Sequence, residues 1–211
     1  METIKLLEKL KSKIKKLRSG NLSYDDFDKW LIKELVNNSR PENYSEVVSD
    51  LNTELEGIRA EFLDSINWKK TPENVDSYKN LKFSKEFLEF ILDIIDRRVE
   101  YLLESDNKGK YDLKLKDLNY IKDKLKAYLN KPNFSIFSRW ASYIKSDKRY
   151  TGTNVENIFE EFSKERIRLF ELYKNNKITW KEFRYSKGFI KEILERIDAK
   201  IKELEKNGTK R

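Results

Sequence analysis

Six carboxylates, Glu86, Glu89, Asp93, Asp96, Glu100 and Glu104, recur three and four residues apart. On a helix turning 100° per residue they fall within an arc of about 80°. Glu86 with Glu89, and Asp93 with Asp96, have the spacing with which nucleotide-hydrolysing helical bundles hold Mg²⁺ through oxygen. Such a site needs a second pair facing the first. Glu160 and Glu161 with Glu165 are the nearest set and lack a clean pairing. The other reading of the stripe is a solvated face, or one paired with the lysines of the first and last helices. Charge stripes are usual on amphipathic helices, so this second reading is the expected one.

Other chemistry is short of reagents. The chain has no His, no Cys and no Gln, which removes the usual general base, the usual thiol nucleophile and the usual zinc ligands. No glycine-rich phosphate loop and no nucleophile elbow occurs. An enzyme would have to work with carboxylates and a metal. The expectation is therefore a protein that is not an enzyme, with no cofactor and no resident metal.

Two segments have the residue types that hold a nucleic-acid strand, cations for the phosphates and rings for the bases. Residues 131–150 carry five cations against one acid, interleaved with Phe134, Phe137, Trp140, Tyr143 and Tyr150. A helix here puts Phe137, Trp140, Ala141 and Ile144 on a core face. Arg139, Tyr143, Lys145, Lys148, Arg149 and Tyr150 are left as candidate contacts, with Lys148–Gly152 as a loop that could wrap a phosphate. The other segment is residues 1–20, with seven cations against two acids. Its lysines Lys5, Lys9, Lys13 and Lys16 form a row at helical spacing, a candidate phosphate track. The same row would suit an anionic membrane surface, but it lacks bulky aromatics, so no membrane partner is expected.

Helices must position these groups, because no segment alternates with period two. Capping patterns set their limits. A first helix over residues 3–18 ends at Ser19-Gly20. Ser23 with Asp26 starts a second, and Ser45 a third. Thr71-Pro72-Glu73 marks another start, and Ser84 opens the apolar helix over 85–104 that carries the acidic stripe. Helices over 114–130 and 135–146 follow. Thr153 with Glu156 begins one reaching Lys174, and Thr179 with Glu182 caps the last, over 180–206. The expected fold is all-α, an irregular bundle of eight or nine helices with the 85–104 helix at its centre. Residues 1–131 are expected to form an N-terminal bundle, with 132–211 packed on it.

Two stretches match each other. Leu17-Arg18-Ser19-Gly20-Asn21-Leu22-Ser23-Tyr24-Asp25-Asp26-Phe27 aligns with Tyr173-Lys174-Asn175-Asn176-Lys177-Ile178-Thr179-Trp180-Lys181-Glu182-Phe183. In each, Gly20 or Asn176 takes the left-handed position that ends a helix, and Ser23 or Thr179 caps the next. The pattern resembles the SHOCT helical hairpin, best over Leu169–Leu194 and less well over Leu10–Leu35. The resemblance implies hairpin geometry and self-association, and no catalysis. The same residues also match the back half of a calcium loop. Lys15, Leu17 and Ser19 stand where its first oxygen ligands belong, so the turn is read as structural.

The net charge of +8 favours a polyanionic partner. Absence of cysteine fits a reducing compartment, and the alternation of apolar residues with lysines over Met1–Gly20 is unlike a signal peptide, so a cytoplasmic location is expected. The functional expectation is a non-catalytic accessory subunit that binds single-stranded DNA or RNA backbone. It is similar in kind to the small helical subunits of CRISPR effector complexes in size, class and charge. The alternatives are a protein-binding or inhibitor module of viral or mobile-element origin, and a Mg²⁺-dependent nucleotide hydrolase.

Overall fold

A computed structural model describes residues 2–39, 46–68, 81–105 and 113–208. The described residues form eight α-helices, two short 3₁₀ turns and no strand, so the all-α expectation holds. The start expected at Thr71-Pro72-Glu73, and the cap expected at Ser45, lie outside the described residues. The chain divides into two compact units, Met1–Asp106 and Asn107–Arg211.

The first unit holds α1 (Glu2–Arg18), α2 (Tyr24–Asn38), α3 (Glu46–Trp68) and α4 (Lys85–Ser105). Leu7, Leu10 and Ile14 recur at three- and four-residue spacing and bury one face of α1. That face touches α2, α3 and α4, so α1 is the hub, the place expected for the 85–104 helix. Helix α4 packs chiefly on α1 and buries Phe87, Ile91 and Ile94 among others. Its last turns are less covered, and Leu103 is exposed. The core is aromatic: Phe62 meets Tyr24, Phe27, Phe83 and Phe87 at 4.9–5.6 Å between ring centres. Edge-on and tilted pairs of this kind add to the area that the rings bury. The nearly buried Asp28 accepts from Arg59 Nε (3.0 Å) and ties α2 to α3.

The second unit holds α5 (Leu115–Asn130), α6 (Phe134–Ser146), a 3₁₀ turn (Lys148–Tyr150), α7 (Asn154–Lys174), a second 3₁₀ turn (Trp180–Glu182) and α8 (Lys187–Gly208). Helix α5 pairs with α8, and α6 with α7. The division expected after residue 131 therefore falls inside this unit. Helix α5 buries Leu118, Ile121 and Leu125. The core rings are Tyr128, Phe137, Trp140, Phe159, Phe162 and Tyr185.

Each unit contains one of the matching turns. Gly20 has φ +78° and Asn176 φ +54°. In the first turn Asn21 N–H donates to Lys16 O (2.9 Å), and in the second Lys177 N–H donates to Leu172 O (2.8 Å). Both close a helix by the same six-residue loop. Ser23 Oγ then accepts from Asp26 N–H (3.1 Å). In the second copy the Thr179 N–H and hydroxyl both donate to Glu182 (2.8 Å each).

Beyond the caps the copies part. Helix α2 runs on from Tyr24 to Asn38, whereas the helix expected from 180 breaks after one 3₁₀ turn and restarts at Lys187. The cause is the buried pair Phe183 and Tyr185. A helix would point residues two apart about 200° from each other, while non-helical backbone lets both enter the core. Tyr185 N–H donates to Tyr128 Oη (3.1 Å) and its hydroxyl to Phe162 O (3.3 Å). Ser186 Oγ then accepts from Phe189 N–H (3.1 Å) and caps α8.

Candidate nucleic-acid interface

The acidic stripe of α4 has counter-ions from its own unit. Asp96 pairs with Lys11 (2.5 Å), and Glu89 lies near Arg18 (3.8 Å) and Lys85 (3.7 Å). Glu86 and Asp93 are also engaged by other groups of the chain. The hydrogen bond to Asp96 holds the Lys11 amine above its ordinary range, outweighing partial burial. Among the described residues no three acids cluster closely enough to hold a metal ion. Two of the six carboxylates, Glu89 and Asp96, thus link α4 to α1.

The lysine row of α1 is partly engaged by α2. Lys9 lies 3.7 Å from Glu34, and Lys13 sits over the Trp30 ring at 5.4 Å. The side chains of Lys5 and Lys16 are exposed, and their ammonium groups make no hydrogen bond or ion pair to another described residue. They lie eleven residues apart, about 16 Å along the axis. The row is thus two separated cations and a partly engaged middle.

Segment 131–150 corrects the sequence reading more sharply. Phe137, Trp140, Ala141 and Ile144 are core, as expected, and Trp140 Nε1–H donates to Tyr120 Oη (2.9 Å). Arg149 and Tyr150, expected as strand contacts, are instead among the most deeply buried side chains, at 1% and 0% exposure. The turn at 148–150 swings Arg149 inward onto Asp147, whose two oxygens take its Nε (3.0 Å) and Nη2 (2.5 Å). Burial works against the charge, and the hydrogen bonds and charge of Asp147 override it, holding the guanidinium above its usual range. The segment's single acid, two residues before the arginine, is what lets a cation enter a core. Lys145 pairs with Glu160 (2.5 Å). Arg139 and Tyr143 are half-buried and engaged within the chain. The side chain of Lys148 lies outside the described ones.

Sequence reasoning missed a place where rings and cations meet in the open. At the α7–α8 turn, Phe170 (58%), Tyr173 (41%) and Trp180 (52%) are exposed, as is Ile167 one turn earlier. Residues 173–185 hold four cations, Lys174, Lys177, Lys181 and Arg184, and one acid, Glu182. All four cations are exposed. The ammonium groups of Lys174, Lys177 and Lys181 make no hydrogen bond or ion pair with a described residue. The acid is turned onto Thr179, whose N–H and hydroxyl hold its carboxyl below the ordinary range. The rings are ordered: Trp180 stacks on the buried Phe183 (5.2 Å, 14°), and Tyr173 stands edge-on to Trp180 (5.7 Å, 69°) and to Phe183 (5.8 Å, 77°). The available signal was the pair of extra residues between Phe183 and the next apolar helix, which breaks the match with the first copy.

A cleft of about 340 Å³ also opens in the second unit, floored by Leu118, Val155 and Ile197. Its rim cations are held by carboxylates, Arg196 by Glu161 (2.7 Å) and Lys200 by Glu203 (2.8 Å). No described helix is long and apolar enough to cross a membrane. No family model, curated protein or solved structure matches the chain, so the hairpin resemblance rests on its own turn chemistry.

Proposed function

We propose that the chain is a non-catalytic helical protein that binds the backbone of unpaired nucleic acid, acting in the cytoplasm as an accessory subunit of a larger assembly. One observation supports this best: exposed rings and unpaired cations coincide at the α7–α8 turn, on residues that the core does not use. Phosphates are drawn by Lys174, Lys177 and Lys181, and bases have ring faces to lie against. The exposed ends of the α1 row, Lys5 and Lys16, add charge for longer-range attraction.

The test is fluorescence anisotropy with labelled single-stranded RNA and DNA of about twelve nucleotides, at about 50 and 200 mM salt. Binding that weakens steeply with salt is expected. Replacing Lys174, Lys177 and Lys181 together by glutamate should abolish it, while Arg149→Met should leave the salt slope unchanged. Absence of binding at low salt would defeat the reading.

A second reading has its own observation. Ile167 and Phe170 lie one turn apart on α7, both exposed, and an aliphatic side chain adds nothing to strand binding. A protein partner covering this edge would use them. That reading gains if nucleic acid fails to bind and Ile167→Asp disrupts a complex that Lys174→Glu leaves intact.

A further inference from the structure

In the first hairpin the residue after the capping serine is Tyr24, wholly buried against Phe27, Phe62 and Phe83. The matching residue of the second hairpin is Trp180, a larger apolar surface, and it is half exposed. Turn chemistry is shared, so it does not force the ring outward. Leaving so large a ring in water forgoes burial at about 25 cal/mol per Å². Yet the indole is not loose. Phe183 lies parallel beneath it, Phe183 is itself fixed edge-on by Phe134 (4.7 Å, 78°), and Tyr173 abuts its edge. Lys181 follows it in sequence, and Lys177 lies three residues before it.

Resting on the nucleic-acid reading and going beyond it, we infer that Trp180, braced by Phe183 and Tyr173, is a preformed stacking platform for one unpaired base. In a duplex both faces of an internal base are covered by its neighbours, so a ring at the surface can stack only on a base in a single strand, a bulge or an end. A ring already held in place loses little freedom when a base settles on it. The flanking lysines take the phosphates on either side of that base. Such a platform accepts any base, because every base has a π face.

The experiment compares two ten-residue DNA strands of equal phosphate number, one of thymidines and one of abasic residues. The wild-type protein should bind the base-bearing strand about 5- to 100-fold more tightly. Trp180→Ala should bring its affinity down to that for the abasic strand without changing the salt slope, and Trp180→Phe should keep part of the difference. Circular dichroism and thermal melting of Trp180→Ala should match wild type, since the ring is half exposed. Equal wild-type affinity for both strands would overturn the platform and leave the nucleic-acid reading intact. Binding to neither strand would overturn both. A Trp180→Ala protein that loses both strands equally would show the ring to be structural.

Discussion

The two hairpins share a turn and differ in what they do with the ring that follows the cap. Gly20 and Asn176 close their helices alike, and Ser23 and Thr179 each open the next element. In the first unit Tyr24 and Phe27 then sit one turn apart on a continuous helix and face the same core. In the second the backbone leaves the helix after Glu182, Phe183 and Tyr185 fill the core, and Trp180 is left at the surface. A local motif thus sets the bend, while the two extra residues decide which rings are buried and which are exposed.

That contrast can be broken most directly by removing rings. Phe62→Ala in the first unit should cost about 3–5 kcal/mol, read by urea denaturation, because Phe62 is fully buried among four rings. Trp180→Ala should cost under about 1 kcal/mol. A loss at Trp180 as large as that at Phe62 would erase the distinction. Asp147→Ala should cost about 3–5 kcal/mol by the same measurement, since it strands the guanidinium of Arg149 inside the second unit. Asp147→Ala with Arg149→Met should recover most of that loss.

The turns themselves give a smaller effect. Gly20→Ala places a Cβ at φ +78° with nothing within 4 Å of it, so its cost is backbone strain alone, about 1 kcal/mol in thermal unfolding. Asn176→Gly should change stability by only a few tenths, as asparagine tolerates that region. The smallest effect expected is on the second turn in acid. Glu182 is held below its unfolded pKa by Thr179. Its contribution is therefore present above the unfolded value of about 4.5 and is lost as pH falls through the lower, folded one. The fluorescence of Trp180 should report this without unfolding of the unit. At the alkaline end burial pushes the Tyr128 and Tyr185 hydroxyls up to about 12. Stability they support is complete below about pH 10 and is lost as pH rises towards 12, which tyrosinate absorbance would follow.

The sequence made the helices and caps legible because capping residues and apolar spacing act locally. Ser23 and Asp26, Thr179 and Glu182, and the two left-handed positions are all readable within a few residues. Burial was less legible. Arg149 and Tyr150 have the composition of a binding loop, and the 3₁₀ turn that folds Arg149 back onto Asp147 inside the core is set by packing that residue types alone do not show. The α4 stripe offered a metal site or a face that is solvated or paired with lysines, and the cations that reach Asp96 and Glu89 from α1 lie some eighty residues away in the chain. The cap pattern alone places Trp180 in a helix start, because the break that follows it depends on two rings entering the same core.

The central claim is that strand contact belongs to the α7–α8 turn and not to segment 131–150. Titrating single-stranded RNA into ¹⁵N-labelled protein and following the tryptophan indole N–H resonances tests it in one spectrum. The Trp180 resonance should shift progressively, while that of Trp140, bonded to Tyr120 in the core, stays in place. Movement of the Trp140 resonance with Trp180 unmoved would contradict the account.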